Sequence, residues 1–77
     1  MQSLTQLLEE HKSNKDLKAL QKMEEESWYI IDFVHDKVEK LLDKGMTPVQ
    51  ERKNLVQAQS NHALIVTTIK QVLALTN

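Results

Sequence analysis

The chain contains no cysteine. That excludes disulfides and thiolate metal sites, the usual staples of a domain this small. Aromatic residues are few: one Trp, one Tyr and one Phe. No apolar run approaches the ~20 residues that a membrane-spanning helix needs. Neither sign of charge dominates. Ten basic and 11 acidic residues leave a formal net charge of −1, so no broad attraction to nucleic acid or to an anionic membrane is implied. No basic segment followed by an apolar stretch comes after Met1, so a secretory signal is not expected and a cytoplasmic location is.

Glycine and proline are each present once, as Gly45 and Pro48. Both principal helix breakers therefore fall at one point, and the rest of the chain is free to be helical. The apolar-periodic run ending Leu41-Leu42-Asp43-Lys44 reaches Gly45, a residue suited to the left-handed cap of a helix C-terminus. Thr47 reads as the next N-cap, Pro48 as the first helical residue and Gln50 as the far side of a capping box. A turn this short folds the flanking helices back on each other. The spacing predicts an all-α fold, a short N-terminal helix followed by a long antiparallel hairpin with its turn at Gly45–Pro48. The single domain spans 1–77, with helices at about 4–11, 15–44 and 48–75.

Ser3 with Gln6 forms a capping box for the first helix, whose Leu4, Leu7, Leu8 and His11 share one face. Ser13 with Asp16 is a second capping signature and predicts a helix start at Asn14 or Lys15. The second helix carries the stripe Leu17, Leu20, Met23, Ser27, Ile30, Ile31, Val34, Val38, Leu41 and Leu42. The third carries Leu55, Ala58, His62, Ile65, Val66, Ile69, Val72 and Leu73, and from Ala63 to Leu75 it is apolar nearly all round. From the turn position, facing residues should have numbers that sum to about 93. Val38 then faces Leu55, Ile31 faces His62 and Leu20 faces Leu73, with Val38, Leu55, Ile31 and Val66 as internal core.

Catalytic and ligand-binding patterns are missing. There is no His-Glu-x-x-His, no glycine-rich phosphate loop, no Gly-x-Ser-x-Gly and no Cys nucleophile. His11, His35 and His62 are not paired with one another at i, i+4, although His35 can meet Glu39 one turn on. Glu24-Glu25-Glu26 are consecutive on a helix and point in different directions, unlike the opposed carboxylates of an acid–base pair. Lys12, Lys15, Lys18 and Lys22 form a loose basic run that glutamates follow at once, and they read as a solvated helix face. Neither enzyme activity nor any metal or cofactor is expected.

The apolar residues outside the stripes carry the functional reading. Trp28 lies at the stripe edge, Tyr29 and Phe33 lie behind the second helix, and Leu64 and Leu75 lie behind the third. A chain this small has little third layer to cover them, and aromatics outside a core are typical of interfaces. Trp28, Tyr29, Phe33, Leu64, Val72 and Leu75 are the predicted partner contacts.

A leucine-bearing first helix, a hairpin with Gly45 at its turn, Gln50 five residues later and the closing ladder Ala63-Leu64, Val66, Ile69, Val72, Leu73 occur together. This pattern resembles the small co-chaperones of type III secretion needle subunits, the YscE/PscE type. The resemblance covers most of the chain as pattern, and the chain departs from it at Pro48 and from Glu24 to Phe33. It implies a cytoplasmic bacterial protein that stabilises a larger helical-repeat chaperone, the pair keeping a needle subunit unpolymerised before export. Two alternatives stay open: a self-assembling hairpin, as a homodimer or a structural, needle-like subunit, and a small phage- or plasmid-borne regulator docking on a bacterial protein.

Overall fold

The computed structural model describes residues 2–76, with side chains through Leu75. It contains three helices, α1 Leu4–Ser13, α2 Leu17–Asp43 and α3 Val49–Thr76, and no strand among the described residues. α2 and α3 form the antiparallel hairpin. α1 folds back across its open end, so that Leu8 packs into a cluster with Leu20, Ile65, Ile69 and Val72. Leu20 and Val72 lose all solvent contact. The molecule measures 50 × 24 × 15 Å with a radius of gyration of 15.1 Å, against about 11–12 Å for a compact chain of this length. The elongation follows from two long helices sharing a single short third one.

Two of the connections use the same device. At the end of α2, Gly45 N–H donates to the Leu42 carbonyl (2.9 Å) and Met46 N–H to the Leu41 carbonyl (3.0 Å). Gly45 has φ of +75°. This is a Schellman cap, which returns two orphan carbonyls to the hydrogen-bond network. At the end of α1, Lys15 N–H donates to the Lys12 carbonyl (3.1 Å) and Asp16 N–H to the His11 carbonyl (2.9 Å). Here the left-handed residue is Lys15, with φ of 52°. The first helix therefore runs on through Ser13. Asp16, rather than Ser13, caps α2, accepting from Ala19 N–H at 3.2 Å. The expected start at Asn14 or Lys15 is corrected to Leu17, because Asn14 and Lys15 are taken up in closing α1.

The Ser3–Gln6 capping box is made in both directions. The one expected at Thr47–Gln50 is not. Val49 N–H turns back to the Thr47 carbonyl (3.0 Å), and the first helical acceptor is the carbonyl of Pro48, bonded by Arg52 N–H at 3.0 Å. α3 thus begins one residue later than expected, and the Gln50 amide donates along the helix to Asn54 at 3.1 Å. Pro48 is buried at the foot of the hairpin.

The register lies about one turn from the expected one. His62 meets Ser27, not Ile31, and Leu20 packs with Ile69 and Val72, not Leu73. The slip has a polar cause. Ser27 is buried and the His62 ring is half-buried, and polar groups withdrawn from water are costly unless paired. Opposing Ile31 to His62 would give the ring an aliphatic neighbour. Val38 is buried as expected, whereas Ile31, Leu55 and Val66 are half-buried. Ile30 and Leu42, placed in the stripe by periodicity, are largely exposed.

Candidate protein-interaction surfaces

Tyr29 and Phe33 lie on the outer side of α2, about 40° apart around the helix axis, and are 75% and 72% exposed. Ile30, 55% exposed, extends this ridge towards α1. It lines a hollow of about 220 Å³ with Leu4, Met23, Glu26, Ser27, Asn61 and Ile65. The hollow opens where the N-terminus of α1 stops short of the middle of the hairpin. Cavities of ~150 Å³ already accept a benzene-sized guest, so this one has room for a large apolar side chain. Around the ridge, Glu25, Glu26 and Asp32 make no ion pair among the described residues, where the three pairs are His11–Asp16, His35–Glu39 and Asp36–Lys40.

Trp28 belongs to a different face. Its ring sits 4.2 Å from that of His62, centroid to centroid, at 54°. The His62 ring is held from below by Ser27, whose hydroxyl donates to the Glu24 carbonyl at 2.7 Å and lies 2.6 Å from His62 Nδ1. Trp28 therefore lies on the side of the hairpin opposite α1. At about 100° per residue, Leu17, Ile31 and Leu42 fall on this side of α2, and Leu55 and Val66 on this side of α3. All are half-buried or exposed.

Leu64 and Leu75 are exposed on α3, turned towards the α1 side and separated from Tyr29 and Phe33 by α1. Val72 is not a surface residue. It points into the junction of all three helices, where α1 closes over it, and this removes it from the predicted contacts. The remaining predicted residues thus divide into an α2 ridge (Tyr29, Phe33), an α3 edge (Leu64, Leu75) and the Trp28 face. Sequence reasoning missed Ile30 and Leu42 as surface residues because both sit at stripe edges, where only the position of the neighbouring helices decides exposure.

The accessible surface is 5791 Å², against about 4,800 Å² for a compact monomer of this mass. Surplus surface of this order is what two long helices with one short cover leave open. No group of three or more His, Cys, Asp or Glu capable of holding a metal occurs among the described residues. No helix among them is long and apolar enough to cross a membrane. Comparison with protein-family models, with curated proteins and with solved structures finds no match to this chain.

Proposed function

We propose that the chain is a non-enzymatic interaction protein of the needle co-chaperone kind. In this reading it is a small cytoplasmic helical hairpin that stabilises a larger helical-repeat chaperone, which in turn keeps a needle subunit unpolymerised before export. The observation that carries the reading is the Tyr29–Ile30–Phe33 ridge. Three large apolar side chains stand together on the convex side of α2, beside a hollow with room for one more. A convex ridge needs a concave receiver, and helix-to-groove docking uses anchors three and four residues apart, as Phe33 stands from Ile30 and Tyr29. The unpaired carboxylates of Glu25, Glu26 and Asp32 suit a groove with a basic rim. The length, the hairpin and the short leading helix agree with the resemblance described above.

The test is co-expression with a larger helical-repeat chaperone of a needle-type secretion system, followed by calorimetric titration of the purified pair. The expected result is a 1:1 complex, with Phe33→Ala and Tyr29→Ala each weakening binding at least tenfold at unchanged helicity. Lack of a complex, or full affinity in both variants, overturns the proposal.

A further inference from the structure

The face opposite α1 points to a second copy of this chain, independently of the co-chaperone reading. We infer that two hairpins associate through this face into a four-helix bundle. Their two-fold axis runs along the helices, with both Gly45–Pro48 turns at the same end.

The apolar content comes first. α1 covers one side of the hairpin and leaves the other open along its length. On that side lie Leu17, Trp28, Ile31 and Leu42 of α2, and Leu55 and Val66 of α3, each half-buried or exposed. Single hairpins leave such a seam half-covered, and a second seam of the same width completes it. The face spans most of the 50 × 24 Å outline of the molecule. A copy lying along it covers on the order of 1,000 Å² per chain, more than the ~800 Å² per partner of a standard interface.

Charge selects the orientation. The rim of this face on α2 is acidic, with Asp32 and Glu39, while Glu24 sits nearer the hairpin axis. The rim on α3 carries Arg52 and Lys70, while Glu51 sits nearer the hairpin axis. Arg52 and Lys70 make no ion pair among the described residues, and Glu39 meets only His35, at 3.7 Å. The observed register places Glu39 level with Arg52. Within one chain the two rims point away from each other. A two-fold axis along the bundle lays α2 of one copy over α3 of the other at the same level. Glu39 then meets Arg52 of the second copy. The same operation sets Trp28 over Ala63 of the second copy, a small exposed residue opposite a large one. An axis across the bundle would instead stack α2 on α2 and oppose acidic rim to acidic rim, which like-charge repulsion disfavours.

Sedimentation equilibrium of the purified chain between about 5 and 200 µM tests the inference, with circular dichroism on every variant. The expected result is a monomer–dimer equilibrium in this range. Leu42→Glu and Val66→Glu should shift it to monomer at retained helicity, while Phe33→Glu, on the outer ridge, should leave it in place. Glu39→Arg or Arg52→Glu alone should weaken the dimer about three- to tenfold at low salt, and the double exchange should restore it. A chain that stays monomeric throughout overturns the inference. So does a dimer broken by Phe33→Glu and not by Leu42→Glu. A dimer that the face variants break but the double exchange does not restore overturns the assigned orientation.

Discussion

Ser27 and His62 make the one side-chain hydrogen bond that joins α2 to α3 among the described residues, at 2.6 Å. The Ser27 hydroxyl has a single proton, and the Glu24 carbonyl 2.7 Å away can only accept. The proton therefore goes to the carbonyl, and the hydroxyl oxygen accepts from His62. Neutral His62 is the tautomer with hydrogen on Nδ1, and Trp28 packs against the same ring. One imidazole thus sets the hairpin register and supports the only tryptophan.

That assignment is directly measurable. Long-range ¹H–¹⁵N spectra of neutral His62 should show a protonated Nδ1 and a bare Nε2; the reverse pattern would contradict the geometry. Ser27→Ala should cost about 1 kcal/mol, because it leaves the ring N–H without its acceptor. His62→Leu should change stability by less than about 1 kcal/mol, since the hydroxyl keeps its bond to Glu24. Urea titrations of each variant against the parent measure the two costs.

Core and ridge respond differently to truncation. Leu20 has no solvent contact, and Leu20→Ala should cost about 2–5 kcal/mol. A domain of this size has a total stability of the same order, so the variant should be substantially unfolded at 37 °C. Phe33→Ala should stay within about 0.5 kcal/mol of the parent, as surface substitutions do. A thermal melt that showed Phe33→Ala as damaging as Leu20→Ala would place Phe33 in the core.

The two Schellman caps make opposite predictions. At Gly45 a Cβ would meet no heavy atom within 4 Å. Gly45→Ala should still lose about 1–2 kcal/mol, from backbone strain alone. At Lys15 that strain is already present, and Lys15→Gly should gain about 0.5–1 kcal/mol after the extra chain entropy of glycine. In calorimetry, that gain corresponds to a rise of a few degrees in Tm.

The caps of α2 and α3 can be tested in parallel. Asp16→Ala removes the acceptor of Ala19 N–H and should cost about 1 kcal/mol. Thr47→Ala should cost less than about 0.5 kcal/mol, because the Thr47 carbonyl, not its side chain, engages Val49. Equal losses in the two variants would restore Thr47 as a cap.

These cases show where sequence reading succeeds. Gly45 and Pro48 mark the hairpin because local backbone chemistry alone decides their conformation. Ser3 and Gln6 cap α1 for the same reason. Lys15 escapes notice because a lysine carries no signal for the left-handed region. The surrounding α1–α2 packing imposes that conformation.

The functional surface was legible only in part. Tyr29, Phe33, Leu64 and Leu75 stand far enough from the apolar stripes that periodicity alone exposes them, as the structure does. Val72 read as a contact because α3 is apolar nearly all round, and such a helix does not reveal which side its neighbours take.

By itself the sequence determined the all-α class, the hairpin, the position of its turn and the outward direction of Tyr29 and Phe33. All of these follow from interactions within a few residues along the chain. The tertiary structure decided the one-turn register, the burial of Val72 under α1 and the face left open beside Trp28. Each of these depends on how α1, α2 and α3 share one small core, where a part-buried Ser27–His62 pair and the reach of a ten-residue helix outweigh the periodicity of any single helix.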